Sequence, residues 1–174
     1  MTRQRLLTCV AGVLAAVLAT VFGWRWFSAP RTPSPEKLAQ VALTGSPGEQ
    51  AVAAAQLTSQ GEAAVPHMRR VLAEAKTPEI RARMIQGLSL EWDFESMPAF
   101  LAGMDDESLL VRVRSAAAVE RVLGSFPHRK YNPRDPPEQR RAAIEFLREC
   151  WSKVRANYPI EQLKARVKGK DYNP

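Results

Sequence analysis

Apolar residues recur along this chain at three- and four-residue steps, and no segment shows the strict alternation of a half-buried strand, so the pattern predicts helices throughout. Start and stop residues divide that pattern into elements. Ser34-Pro35 supplies an N-cap and a proline at the first helical position; Leu38, Val41 and Ala42 form the apolar stripe and Gly45 stops it. Ser46-Pro47-Gly48-Glu49 places a serine and a glutamate at capping-box spacing and opens a helix to about Ser59. Gly61 ends that helix, and Val65, Met68, Val71 and Leu72 mark the inner face of the next. Thr77-Pro78-Glu79 caps another, running to about Leu90. Met97, Phe100 and Met104 then repeat the positions of Val65, Met68 and Leu72, before a longer helix from about Glu107 to Leu123. Beyond the turn-rich Gly124–Arg134, Asp135-Pro136-Pro137-Glu138 starts a long amphipathic helix to about Asn157. Its inner face carries Ala143, Phe146, Leu147, Cys150, Trp151 and Val154. A short helix follows Pro159 and ends near Gly169, leaving a loose tail.

The helices are not independent of one another. Leu57, Leu88 and Val119 stand 31 residues apart and close three similar phrases: EQAVAAAQL (Glu49–Leu57), IRARMIQGL (Ile80–Leu88) and VRVRSAAAV (Val111–Val119). A fixed period of this length is the mark of stacked units that cannot bury their apolar faces alone. It predicts an all-α domain built as consecutive antiparallel helix pairs, with the last two helices as a polar-backed cap.

Gly61-Glu62-Ala63-Ala64-Val65-Pro66, followed after a short linker by Ile80-Arg81, resembles the short HEAT-like repeat first noted in phycobilin lyase-type proteins. Met97-Pro98, the acidic pair Asp105-Asp106 and Val111-Arg112 are similar. The resemblance covers roughly residues 34–124 and implies a short α-solenoid. It also implies a ladder of acids and arginines between neighbouring units, for which Glu74 with Asp105 and Arg81 with Arg112, each pair 31 apart, are the matching positions. The chain departs from the pattern at Gln50, where the other units have arginine, and at Met84-Ile85, where the family favours small residues.

One stretch reads differently. After the basic residues 1–5, Leu6–Trp24 contains no charge, and its nineteen residues span roughly 28 Å as a helix, close to the hydrocarbon thickness of a bilayer. Trp24, Trp26 and Phe27 follow where an aromatic belt would lie. A cleaved signal peptide would have to be cut near Ser28-Ala29, against Pro30, and a lipoprotein at Cys9 would have most of its apolar run on the wrong side. An uncleaved transmembrane signal anchor over 6–27 fits best, joined by the Pro-rich linker 28–34 to the repeats at 35–124 and the basic region 125–174. Arg3 and Arg5 favour a cytoplasmic N-terminus and an extracytoplasmic, periplasmic-side domain.

Composition adds little to this, but charge adds something. The chain has 174 residues, 45% hydrophobic and 25% charged, and a formal net charge of +7. Residues 30–124 hold 10 Lys/Arg against 12 Asp/Glu, a net of −2; residues 125–174 hold 12 against 6, a net of +6. Such an end reads either as a solvated helix surface with a basic tail or as a patch for anionic lipid headgroups or an acidic protein, whereas nucleic acid is disfavoured by the sparse aromatics in the basic run and by the expected location. No metalloprotease, paired-cysteine, phosphate-loop or nucleophile-elbow motif is present, and His67 and His128 stand apart. Glu91, Asp93 and Glu95 surround Trp92 and Phe94 without the dense oxygen spacing of a calcium loop. No cofactor, metal or catalytic group is expected.

The expected function is therefore a non-enzymatic, membrane-anchored protein-interaction module or assembly adaptor of the cell envelope. Trp92 and Phe94 are the aromatic candidates for partner binding, and Arg129, Lys130, Arg140 and Arg141 the basic ones. Two alternatives stand beside it. One is a HEAT-type enzyme or accessory subunit, nucleic-acid-modifying or lyase-like; the other is a basic tether on anionic membrane.

Overall fold

The computed structural model describes residues 32–123 and 131–168. They form eight α-helices: α1 (Pro35–Thr44), α2 (Pro47–Thr58), α3 (Val65–Glu74), α4 (Pro78–Leu90), α5 (Met97–Gly103), α6 (Leu109–Leu123), α7 (Pro137–Asn157) and α8 (Ile160–Lys168). Short 3-10 turns at Gly61–Ala64 and Phe94–Ser96 lead into α3 and α5. No helix among them is long and apolar enough to cross a membrane, and the Leu6–Trp24 segment lies outside the described residues.

Local chemistry sets most of the boundaries. Six of the eight helices, α1 to α5 and α7, have proline in the first turn, where its missing N–H costs nothing. The Ser34 hydroxyl caps α1 weakly, accepting from the Lys37 N–H at 3.4 Å. At α2 the Glu49 carboxylate accepts from the Ser46 N–H at 2.9 Å and from its hydroxyl at 2.7 Å, and these bonds hold the carboxyl below its usual range. α6 begins at Leu109, later than the expected Glu107. The reason is Asp106, whose carboxylate accepts the Ser108 N–H at 2.8 Å and so shapes a turn before the helix.

Packing is mostly between neighbours in sequence. α1 packs on α2, α3 on α4, and α5 on α6. The three helices that carry the similar phrases also touch in succession, α2 with α4 and α4 with α6, and α1 likewise touches α3. Leu57, Leu88 and Val119 are all fully buried. At Gly87 a Cβ would come within 2.6 Å of the Thr58 methyl and 2.8 Å of the Met68 sulfur, so only glycine lets α4 approach so closely here.

The positions at 31-residue spacing before these anchors also share a bonding role. Gln50 donates to the Leu43 carbonyl at 3.3 Å and accepts from the Thr77 hydroxyl at 3.5 Å. Arg81 Nη1 donates to the carbonyls of Ala75 and Lys76, at 3.3 and 2.7 Å, while Nη2 and Nε reach Asp106 at 3.0 and 3.2 Å. Arg112 Nη1 donates to the carbonyls of Asp106 and Glu107, at 2.8 and 2.9 Å, and its Nε to Pro133 at 2.7 Å. Each side chain thus reaches back to the chain just before its own helix, Arg81 and Arg112 to the preceding turn and Gln50 to the last turn of α1, and forward to a later segment. The acids differ from those the resemblance implies. Among the described residues Glu74 pairs with Arg70 on its own helix surface, and Asp105 is taken by α7.

α7 and α8 are attached by other means. Asp105 accepts from Arg140 Nη2 at 2.8 Å and from Arg141 Nε at 3.1 Å, and both bonds hold its carboxyl below the usual aspartate range. Tyr131 donates its hydroxyl to the Met104 carbonyl at 2.6 Å; burial pushes its ionisation up to about 12. On α7 the core residues are Ala143, Ile144, Leu147 and Trp151, while Phe146, Cys150 and Val154 are half-buried. Ile144 belongs to the inner face, which is rotated slightly from the expected one. α8 turns back on the chain, buries Leu163 and packs on the Phe94–Ser96 turn.

Candidate functional site: two clefts with a shared ionic wall

The turn after α4 is where sequence and structure meet most closely. It ends the helix as a Schellman motif: the Trp92 N–H donates to the Ser89 carbonyl at 3.2 Å and the Asp93 N–H to the Leu88 carbonyl at 3.0 Å. The motif needs a left-handed residue at its corner, commonly glycine, and here that residue is Trp92 at φ 53°. Among the described residues it is the one non-glycine with positive φ. Trp92 is half-buried, with Arg121 of α6 seated over its ring at 4.5 Å from the centroid. Phe94, with its ring 6.3 Å from that of Trp92, is fully buried in the core. The two candidate aromatics therefore separate: Phe94 fixes the turn from inside, and Trp92 alone reaches a surface.

Between and after them stand two carboxylates with partners far away in sequence. Asp93, 3% exposed, takes Arg69 of α3 in a two-pronged pair, with Nε to Oδ2 at 2.7 Å and Nη2 on Oδ1. Ser96 donates its hydroxyl to Asp93 at 2.5 Å. Arg69 also reaches Glu95 at 2.5 Å, and Lys164 of α8 approaches Glu95 at 3.4 Å. The bonds to Asp93, chiefly, hold the Arg69 guanidinium protonated well above its ordinary range. Asp93 and Glu95 are thus already matched with cations, and among the described residues no cluster of His, Cys, Asp and Glu could hold a metal ion.

Arg69 and Glu95 form a wall between two clefts. The first, about 460 Å³, runs along α3 and α5 over small and apolar residues, among them Leu72, Ala73, Pro98, Ala99 and Ala102, with Ile85 and Val111 behind. Its charged boundaries are Arg69 with Glu95 and Arg81 with Asp106. The second cleft, about 380 Å³, opens at the Schellman turn between α3 and α8. Val65, Pro66, Leu90, Trp92 and Val167 give it an apolar lining, and Glu62 and Glu91 add carboxylates to those of the wall. At the start of the 3-10 turn that leads into α3, Gly61 adopts φ 64°, a left-handed backbone that glycine takes without cost; an added Cβ would meet the Glu91 carboxylate only at ordinary contact, 3.7 Å.

The basic candidates fall elsewhere. Arg140 is nearly enclosed, its side chain 11% exposed, and braces α7 against Asp105. Arg141, 68% exposed, shares that acid and lines a third cleft of about 290 Å³ with Ile144, Glu145 and Arg148. Arg129 and Lys130 lie outside the described residues, as does His128, while His67 is half-buried on α3. Sequence reasoning missed Arg69, Glu95 and Lys164 as a group, because they lie 26 and 69 residues apart and no local spacing links them. Compared with the models of protein families, the curated proteins and the solved structures, the chain shows no match.

Proposed function

We propose that this chain is a membrane-anchored α-solenoid of HEAT-like helix pairs, acting without catalysis as a protein-interaction module or assembly adaptor in the cell envelope. The observation that supports this reading is the similar role of Gln50, Arg81 and Arg112 at a 31-residue spacing: each joins the end of the preceding helix or the turn after it to a later segment. A side chain that keeps both its spacing and its bonding job is what stacked, equivalent units require, and such stacks present extended surfaces rather than one enclosed pocket. The clefts on either side of the Arg69–Glu95 wall are the concave parts of that surface, and Trp92 lines the second of them. In this reading Leu6–Trp24 is the anchor, its N-terminus cytoplasmic and the helical domain on the periplasmic side.

The test has two parts, both on the full chain in intact cells. A C-terminal tag should become accessible once the outer barrier is opened and while the inner membrane stays sealed. A photo-cross-linking residue at Leu90, an exposed position on the rim of the second cleft, should give one discrete protein adduct that survives moderate salt, whereas the same residue at exposed Gln139 should not. A tag protected until the inner membrane breaks sinks the location, and equal or diffuse labelling from both positions sinks the interaction surface. Salt-sensitive vesicle binding in place of a protein adduct would favour the tether.

A further inference from the structure

The closing helix pair carries charge that the fold does not cancel. Residues 150–168 hold five lysines and arginines against one glutamate. That glutamate, Glu161, stands 3.9 Å from Lys164, which also faces Glu95. Among the described residues no acid lies within ion-pair distance of Lys153, Arg155 or Arg166. Two of these cations are fixed where the chain turns from α7 into α8. Tyr158 and Pro159 make that corner: the Tyr158 N–H closes α7 on the Val154 carbonyl, and the Pro159 carbonyl accepts from Gln162 and Leu163 as α8 begins. Arg155 Nη1 donates to the Tyr158 carbonyl at 3.2 Å, with its guanidinium 5.9 Å from the centre of the Trp151 ring. Arg166 sits over the Tyr158 ring at 4.8 Å. Stacking engages the flat face of a guanidinium and leaves its charge and in-plane N–H donors for other groups. Tyr158 itself is 38% exposed, and Pro159 is exposed beside it.

An exposed aromatic corner set among cations without acids suits one kind of surface, the anionic face of a lipid bilayer. Guanidinium forks match lipid phosphates, a tyrosine ring is at home at headgroup level, and each nearby cation adds to the attraction. We infer that the α7–α8 corner docks on anionic lipid headgroups through Lys153, Arg155, Tyr158 and Arg166. A free phosphate would use the guanidiniums but gain nothing from Tyr158 and Pro159. In the anchored reading the seven residues 28–34 reach at most roughly 25 Å, so the bilayer is always available to the domain. The inference rests on that reading and adds a second membrane contact to it, one that leaves the clefts beside the Arg69–Glu95 wall to a protein partner.

The experiment places the full chain in nanodiscs of phosphatidylcholine, alone or with one third phosphatidylglycerol. Each disc carries a trace of phospholipid with a photoactivatable diazirine beside its headgroup, and cross-linked segments are read by mass spectrometry, with residues 6–27 as internal standard. In the anionic discs residues 150–166 should be labelled. That yield should fall at least roughly five-fold in phosphatidylcholine alone, and again at moderate salt. Arg155→Gln and Arg166→Gln should each lower it roughly five-fold, the loss of one cation near an anionic surface. Lys37→Gln on α1, which removes the same charge elsewhere, should leave it unchanged. If Arg155→Gln lowers the thermal midpoint, Lys153→Gln decides in its place, because that side chain is exposed and has no ionic partner among the described residues. Equal labelling in the two lipids, or undiminished labelling in folded variants, would overturn the docking face. A labelled anchor without labelling of residues 150–166 would overturn it too, and would leave the charge to an acidic protein. Loss of labelling to inorganic phosphate, at an ionic strength where chloride has no effect, would overturn the assignment to lipid. Labelling of residues 150–166 without residues 6–27 would keep the face and sink the anchor, and labelling of neither would sink both.

Discussion

The helices α2, α4 and α6 and the pair α7–α8 are joined to the same domain by different forces. In the first group apolar side chains at a constant spacing are buried between the helices, with the Arg81–Asp106 pair beside them. Leu57, Leu88 and Val119 are fully buried, and backbones approach closely at Gly87. In the second, polar groups carry more of the attachment: Arg140 and Arg141 on Asp105, the Tyr131 hydroxyl on a carbonyl, Lys164 on Glu95. Hydrophobic contact is indifferent to pH and weakly affected by salt, whereas ion pairs and ionisable donors respond to both. The α7–α8 seam, with its ionic and ionisable contacts, is therefore the part of the domain expected to respond more to changes of medium.

The comparison breaks most readily at Leu88. Its replacement by alanine removes a fully buried side chain from the last turn of α4 and should cost about 3 kcal/mol in denaturant unfolding, equally at low and high salt. A loss that shrinks with salt would mean that the phased core is not the apolar half of the contrast. Asp93→Asn comes next, at about 2 kcal/mol, because it leaves the Arg69 guanidinium half-buried without its two-pronged acceptor.

At the other seam Asp105→Asn should cost roughly 1 kcal/mol, discounted for the solvent that reaches the acid, and should raise hydrogen exchange in α7 and α8 before the rest. Because the folded chain holds this carboxyl below its usual range, its contribution is complete above the ordinary aspartate pKa and disappears as pH falls from about 4 through the lowered value. Acid unfolding of Asp105→Asn should lack that component, and identical acid profiles would remove Asp105 from the account.

Two smaller effects sharpen the contrast. Trp92→Gly should be about 1 kcal/mol more stable than Trp92→Ala, since both lose the ring but only glycine relaxes the left-handed backbone; equal thermal midpoints would deny the strain. Tyr131→Phe should cost a little under 1 kcal/mol at neutral pH. With folded Tyr131 ionising near 12 rather than near 10, the native state keeps a proton that the unfolded chain releases between those values, so stability falls as pH rises across that window. Tyr131→Phe should show a shallower alkaline decline than the unaltered chain.

The helices were legible because their ends are written locally. Ser34-Pro35, Ser46 with Glu49, Thr77-Pro78 and Pro137 act on residues within a turn of themselves, and each marks a boundary the structure keeps within a residue or two. Phe94 shows where local reading ends. Placed among acids between two helices, it has the setting of an exposed anchor, yet a 3-10 turn carries it into the core and leaves Trp92 outside. The wall of the clefts had no local signature at all, since Arg69 meets Asp93 across 24 residues and Lys164 meets Glu95 across 69. Trp92 at the glycine corner of α4 was equally hidden: a helix stop without glycine or asparagine is visible only in its hydrogen bonds.

Arg112 differs from Arg81 in one respect that bears on how this chain can change over time. Arg81 reaches forward to a carboxylate and therefore fixes which amino acid must stand at Asp106. Arg112 reaches forward to the Pro133 carbonyl, a group that every residue carries. The Arg81 joint is tied to a particular side chain, while at Arg112 the last joint asks only that main chain pass at the right place. A different helix pair after α6 would satisfy this guanidinium with any carbonyl, but it would also have to supply Asp105 with the cations that Arg140 and Arg141 now provide.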